Sequence, residues 1–307
     1  MRIGLKRLSA QRFRFVESMD KVVLKIKTEL HCHTNISDGS YSFEQLAEAA
    51  LKEDIRVLAV TNHDTTQGLA LMAEQGGSLG LEIIPAIEIS ACDRERKTKV
   101  HILGYFIEPG HPALERLCAP MIAKRHETSR LMVERLAEAG YRITWDQVQR
   151  YALGGTGVYK QHIMHALIDE GYAVSIYGEL YKKLFAKGQN GEAGIAHIPL
   201  EYLHARDAID AILQAGGVPV LAHPGQYGNF DYIRDLVGMG LQGIEVWHPL
   251  HDQEDEERAK EYARRYDLVM TGGSDFHGFY GEKEVLLGSK DPGLACVDEL
   301  RKRKIHA

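Results

Sequence analysis

An α/β fold built from repeated β-α units is predicted by three observations in the 307-residue sequence. From residue 22 onward, short β-branched or apolar runs alternate with helical patterns, the signature of a mostly parallel sheet. Between about Pro112 and Gly191 the alternation stops and amphipathic helical patterns follow one another without a convincing strand, which predicts an inserted helical subdomain. Histidines and carboxylates recur nearly always at or just past the C-terminal end of a predicted strand, where β/α barrels build their active sites.

Each element has a local reason. Residues 22–30 form the first strand and deliver His31-Cys32-His33, continuing to Asp38. Ser42 caps a helix from Phe43 to about Lys52, with Phe43, Leu46, Ala47, Ala50 and Leu51 on its apolar stripe. The runs 56–60, 82–89 and 99–106 are strands; the first ends at Thr61-Asn62-His63-Asp64, the second carries Glu88 and the third His101. Within the insertion, Leu114, Leu117, Met121, Met132 and Leu136 mark one helix stopped by Gly140, and Thr144-Trp145-Asp146-Gln147 is a capping box for the next. Ile163, Ala166 and Leu167 mark a third helix, and Ile176, Leu180 and Leu184 a fourth. The β-α alternation resumes with a helix over 205–216 and a strand over 218–222 leading into His223-Pro224-Gly225. A helix over 230–239, a strand over 243–247 ending at His248, a helix over 254–266 and a strand over 268–271 complete the pattern, and the last strand delivers Gly272 to Gly278. The expected organisation is an N-terminal extension (1–21), a β/α domain in two segments (22–111 and 192–290), and the helical insertion (112–191).

Composition excludes several classes. With 44% hydrophobic and 26% charged residues the chain is an ordinary globular protein, and its net charge of -6 argues against a surface for long nucleic acid and for small or short anionic substrates. Cys32, Cys92, Cys118 and Cys296 show no C-x-x-C spacing, which points to a reducing cytoplasm. No apolar run approaches the roughly 20 residues that span a bilayer. Residues 1–27 are basic but lack the apolar core of a signal peptide, so Met19 is a possible alternative start. Oligomeric state is not legible.

In an extended strand His31 and His33 share a face, as a metal site requires. Such a pair also occurs on solvated strands, Glu88 within its apolar run could be satisfied by a salt bridge, His101 and His223 could be core histidines, and Asp275-Phe276-His277 could be a capped turn. Taken together, His31, His33, Asp38, His63, Glu88, His101, His223, Asp275 and His277 converge on one mouth, where they would repel or go unsatisfied without cations. Imidazole mixed with carboxylate suits Mn, Fe or Zn better than Ca or Mg.

Six ordered motifs carry a resemblance. Leu30-His31-Cys32-His33-Thr34 with Ser37-Asp38-Gly39, Thr61-Asn62-His63-Asp64, Ile87-Glu88-Ile89-Ser90, the run from Val100 to Tyr105, Leu221-Ala222-His223-Pro224-Gly225 and the run from Gly273 to Gly278 resemble the PHP (polymerase and histidinol phosphatase) metallophosphoesterases across residues 27–278. The resemblance implies a distorted seven-stranded β/α barrel holding two to three divalent ions. It implies one ion on His31, His33, Glu88 and Asp275, a second on Glu88, His101 and His223, and a third on Asp38, His63 and His277. The insertion and the Ala-His-Pro-Gly motif look most like the branch that dephosphorylates nucleoside 3',5'-bisphosphates and trims short RNA from its 5' end. In that branch the insertion covers the mouth and supplies phosphate contacts, for which Arg125, His126, Lys160 and His197 are the candidates here. A solvated helix face is the plainer reading of the basic residues. Lys160-Gln161-His162 stands where relatives commonly have Arg-Pro-His, so the charge is kept and the bidentate fork of arginine is lost.

The expected activity is hydrolysis of a small nucleotide phosphomonoester by metal-activated hydroxide, most of all the 3'-phosphate of a nucleoside 3',5'-bisphosphate. Asp64, to orient the attacking water or a ligand histidine, and His248 are the catalytic candidates. Alternatives are 5'-3' hydrolysis of short RNA, a histidinol-phosphate-type phosphatase, an amidohydrolase, for which no lysine stands at a matching strand end, and a non-catalytic metal-stabilised binding module with closed coordination. Gly154-Gly155-Thr156-Gly157 follows a helical pattern rather than a strand, so it is read as a flexible link and not as a dinucleotide loop.

Overall fold

The structure is a computed structural model that describes residues 26–188, 193–282 and 284–304. The expected N-terminal extension and the start of the first strand lie outside these residues. In chain order the elements are β1 (Lys27–Cys32), α1 (Phe43–Lys52), β2 (Ile55–Val60), α2 (Leu69–Ser78), β3 (Glu82–Asp93) and β4 (Thr98–Tyr105). Next come α3 (Pro112–Glu138), α4 (Trp145–Tyr151), α5 (Lys160–Asp169), α6 (Glu179–Phe185), β5 (Leu203–His204), α7 (Ala205–Gln214) and β6 (Val218–Leu221). The last are α8 (Pro224–Tyr227), α9 (Ile233–Gly238), β7 (Gly243–Trp247), α10 (Gln253–Tyr266), β8 (Val269–Gly272) and α11 (Leu294–Arg303). The short elements β5 and α8 and the helices α2 and α11 were not expected from sequence. Gly76 and Gly77 dilute the helical pattern of α2, and α11 falls beyond the last motif.

The strands run in the order β1-β2-β3-β4-β6-β7-β8, with β5 paired to the far end of β3. All neighbours on that path are parallel except β3·β4 and β4·β6, so β4 alone is reversed. The cause is the short turn after Asp93, whose Oδ1 accepts from the N–H groups of Glu95 (2.9 Å) and Arg96 (3.2 Å) and whose Lys97 takes a φ of 55°. A turn this short can join only antiparallel strands. His101 therefore lies in the first half of its strand, not at a C-terminal end, and still reaches the common mouth because β4 starts there.

The seven-stranded path curls back on itself. The Tyr105 hydroxyl on β4 crosses the interior to donate to Leu30 O on β1 at 2.9 Å, and His33 N donates to Phe276 O beyond β8 at 2.9 Å. The fully buried Glu29 ties the same seam: its Oε1 accepts from His31 N and Ser274 N, both at 2.9 Å, and its Oε2 from Gly288 N at 2.8 Å. Leu30, Ala59, Ala86, Leu103 and Val220 fill the inside of the curve, closed below by Val297 and Leu300 of α11. Outside, the apolar faces of α1, α7 and α10 cover the sheet.

The helices α3 to α6 form around a second buried cluster that includes Met132, Leu136, Val148, Ile163 and Leu167. The 27-residue α3 belongs to both bodies: Leu114 and Cys118 pack in the first core, Met132 and Leu136 in the second. The Thr144 capping box is half made, because Thr144 accepts from Gln147 N while the Gln147 side chain reaches Glu170 instead. The segment Gly154 to Gly157 is anchored rather than a free link: Thr156 N donates to Ile36 O at 2.8 Å, and a Cβ on Gly155 would stand 2.6 Å from Asn35 O. Among the described residues no helix is long and apolar enough to cross a membrane.

At the seam, a Cβ on Gly273 would lie 2.3 Å from His31 Cβ and 2.5 Å from His31 N. Gly273→Ala must push β1 away from β8, so denaturant unfolding of the metal-free protein should show a loss of about 1–3 kcal/mol.

Candidate metal centre

The strands converge their polar ends on one cavity. Asp64, His223 and Asp275 follow β2, β6 and β8 with φ of 57°, 26° and 51°, left-handed backbone that turns the chain off the strand line; the side chains of His223 and Asp275 line the mouth, and Asp64 lies buried behind it. His31 and His33 are fully buried, with ring centroids 5.4 Å apart.

Three groups of donors result. In the first, His31 Nε2 lies 3.2 Å from both Glu88 Oε2 and Asp275 Oδ1, and His33 Nε2 lies 3.2 Å and 3.1 Å from the same oxygens. In the second, Glu88 Oε1 faces His101 Nδ1 at 2.7 Å and His223 Nε2 at 3.0 Å, while His63 Nδ1 is 3.5 Å from Oε2. In the third, Asp38 Oδ1 is 3.4 Å from His277 Nε2 and 3.6 Å from His33 Nδ1, and Asp38 Oδ2 is 3.8 Å from His63 Nε2. Donor atoms of each of three sets, His31-His33-Glu88-Asp275, His63-Glu88-His101 and His33-Asp38-His63-His277, fall within 4.8 Å of one another and could hold an ion.

The donors fit divalent ions better than a hydrogen-bond network. Both ring nitrogens of His33, Nδ1 of His223 and Oδ1 of Asp275 are buried without a hydrogen-bond partner among the described residues. His33 Nε2 nonetheless lies 3.1 Å from Asp275 Oδ1 and its Nδ1 3.6 Å from Asp38 Oδ1, so one imidazole faces a carboxylate on each side, an arrangement that bound cations satisfy.

Electrostatics agree. Burial pushes Glu88 up, but His63, His31 and His101 pull it well below the usual carboxylate range. Asp38 and Asp275 behave alike: burial raises each, and the imidazoles, chiefly His277 for Asp38 and His31 for Asp275, hold each ionised. Burial opposes the charge on His277, yet Asp38 and Asp275 raise it to about 9; burial takes His101 down to about 4, leaving it neutral and ready to coordinate.

Behind the donors stands a residue that the sequence reading missed. Glu245 is fully buried on β7, with Oε1 3.0 Å from His31 Nδ1 and Oε2 accepting from His223 N at 2.8 Å. It orients one histidine of the first group and the backbone of one in the second. Its signal was the one that singled out Glu88: a carboxylate inside the apolar run Gly243-Ile244-Glu245-Val246-Trp247.

The remaining candidates separate. Asp64 Oδ1 accepts from Ser90 N at 2.7 Å and its Oδ2 lies 2.8 Å from Arg125 Nη2, so the carboxylate is directed at Arg125, not at a ligand histidine. Arg125 also donates to Tyr159 OH (3.1 Å) and Ser90 Oγ (3.0 Å). His126, the next residue on α3, turns away: its Nδ1 accepts from Val158 N at 3.3 Å and its ring meets Trp145 edge-on, so it does not line the cavity. Lys160 and His197 do line it. His248 sits beside the first group, accepting from Leu250 N on Nδ1 at 3.2 Å, with Nε2 3.4 Å from Asp275 Oδ2.

A curled, mostly parallel sheet with clustered imidazoles and carboxylates at one mouth defines a metal-dependent hydrolase. Residues 29–273 match the PHP domain, and the chain belongs to that family. It is 46% identical to the phosphoribosyl 1,2-cyclic phosphate 1,2-diphosphodiesterase of Eggerthella lenta, over 82% of this chain and 95% of that protein. It is 32% identical to the 5'-3' exoribonuclease Rnm of Salmonella typhimurium (81% and 84% covered) and 31% identical to the 3',5'-nucleoside bisphosphate phosphatase of Chromobacterium violaceum (81% and 86%). A solved structure from Bifidobacterium adolescentis, assigned as a metal-dependent phosphoesterase, superposes with a TM-score of 0.82 at 30% identity, covering 92% of this chain and 97% of its own. The protein is a metal-dependent phosphoesterase of the PHP family.

Two predictions follow from the geometry. Glu245→Gln should weaken metal affinity on the order of tenfold to a hundredfold, read by titration calorimetry. In the metal-free protein the raised pKa of His277 adds stability that is complete below its unfolded value near 6.5 and lost as pH rises through about 9. If His277 binds an ion at neutral pH, the ion must displace that proton, so the binding heat should scale with the ionisation enthalpy of the buffer and cease to do so above about pH 9; a heat independent of buffer removes His277 from the ligands.

Proposed function

We propose that the protein hydrolyses a phosphate ester of a ribose that carries a second phosphate. The observation behind this reading is a single cavity of about 1710 Å³ in which the histidine and carboxylate cluster meets a wall bearing Arg125 and Lys160. His31, His33, Glu88 and Asp275 would hold one divalent ion (Mn, Fe or Zn), Glu88, His101 and His223 a second, and Asp38, His63 and His277 a third. Such ions lower the pKa of bound water toward neutrality and offset charge on the phosphoryl oxygens.

The chain's own residues do the rest. Glu88, with one oxygen toward each of two donor groups, sets their spacing. Asp64 positions Arg125, which Ser90 and Tyr159 hold from two further sides so that the guanidinium is fixed before substrate arrives. Because Nδ1 of the neutral His248 accepts from Leu250 N–H, the hydrogen is assigned to Nε2, which faces Asp275 Oδ2 at 3.4 Å; His248 would turn that hydrogen to a phosphoryl or leaving oxygen once Asp275 binds an ion. Lys160 has no carboxylate partner among the described residues; burial first, then Lys99 and Lys187, push it down to about 8. A second phosphate would reverse that shift. Helices α3 to α6 serve as the cap that carries Arg125 and Lys160 over the mouth, with His197 on the same wall. The free thiols suit a reducing cytoplasm.

The name of the 46% identical relative supports phosphoribosyl 1,2-cyclic phosphate as the substrate, opened as a diester and then hydrolysed as the remaining monoester. The 3'-phosphate of a nucleoside 3',5'-bisphosphate is the second reading. It is favoured by the breadth of the cavity, where Tyr177, Tyr181 and Phe185 leave room for a base beside the sugar.

The manganese-loaded protein should be offered phosphoribosyl 1,2-cyclic phosphate, adenosine 3',5'-bisphosphate, AMP and a short 5'-phosphorylated RNA. Ring opening followed by phosphate release from the first, well above the others, is the expected result; preference for the bisphosphate selects the second reading, and inactivity on both riboses sinks the proposal. Lys160→Ala should raise KM for the preferred substrate on the order of tenfold to a hundredfold with little change in kcat.

A further inference from the structure

Gln161 is the second residue of α5 and is 8% exposed, although its amide points into the metal cluster. Its Nε2 donates to Asp38 Oδ2 at 3.1 Å and to Tyr177 OH at 3.0 Å, so both amide hydrogens are used and the orientation of the side chain is determined. Asp38 is the sole carboxylate of the third donor group, and its other oxygen, Oδ1, is the one nearer His277 and His33. Ser37 Oγ is within reach of that same Oδ1 at 3.2 Å and of Asn62 Oδ1 at 3.0 Å, whereas Oδ2 accepts from Gln161 at 3.1 Å and otherwise faces only the candidate ligand His63, whose Nε2 is 3.8 Å away. Tyr177 belongs to the stretch between α5 and α6, and its ring packs on Tyr181 of α6 at 4.8 Å. A continuous line of contacts thus runs from the second buried cluster through Tyr177 and Gln161 to one candidate ligand.

We propose that Gln161 is a positioning residue that makes occupancy of the third donor group depend on the docking of α5 and α6. A neutral carboxamide suits the task, because it donates to an ionised carboxylate without competing as an anion for the metal. The coupling is reciprocal: if docked helices favour the ion, the ion must favour docked helices by the same factor. The inference rests on the assignment of Asp38, His63 and His277 as ligands of a third ion.

The test is metal titration of the full chain, with stoichiometry by elemental analysis and amide exchange over α5 and α6 with and without manganese. Gln161→Leu, which keeps the packing volume, should bind the first two ions as the wild type does. It should bind the third tenfold or more weakly and lose most of the manganese-dependent protection of α5 and α6. Tyr177→Phe, which leaves the Gln161–Asp38 contact in place, should shift the third ion in the same direction by less. Binding of all three ions by Q161L with unaltered protection overturns the coupling. If Q161L does not fold, unchanged third-ion affinity in Y177F overturns it instead. A wild type that takes up only two ions removes the third group and the coupling together, a result separable from the first because it appears before any substitution.

Discussion

The arrangement of the mouth depends on one buried carboxylate. Glu88 stands in an apolar stretch of β3 where an unpaired charge would cost several kcal/mol, and its two oxygens face different sets of imidazoles. Because β3 pairs with both β2 and β4, the position of Glu88 fixes where the histidines after β2 and within β4 must meet. The ring of histidines is costly to bury in a protein without cations, and the surrounding fold offsets that cost with the Glu29 ties across the seam and the Glu245 bridge beneath.

Much of this was legible in the chain, and what was legible followed from simple periodicities. The alternation of His31 and His33 places two imidazoles on one face, and a carboxylate in an apolar strand announces a cation or a partner. Strand direction was not legible for β4, because the pattern of β3 fades after Ile89 into Ser90, Ala91 and Cys92, hiding both the length of β3 and the tight turn that follows. Glu245 carries the same signal as Glu88, a carboxylate in an apolar strand, but no local pattern tells that it stands behind His31 and His223.

Individual contacts explain the mixed outcome for the basic segment of α3. Asp64, Ser90 and Tyr159 hold Arg125 at the cavity, whereas the Val158 N–H and the Trp145 ring hold His126 away from it. Sequence named both, and these partners lie far from them in the chain. Gln161 was legible only as a departure from a pattern, and its contact with Asp38 depends on a docking of α5 that no local rule contains.

The shared ownership of α3 has a consequence for how such proteins diverge. The floor of the cavity hangs from one hydrophobic core and much of its wall from another, with a single long helix as the splint between them. Substitutions in the second core can reshape the wall while the floor, locked by its own sheet, keeps its chemistry. A lineage built this way can change its diet without relearning how to cut.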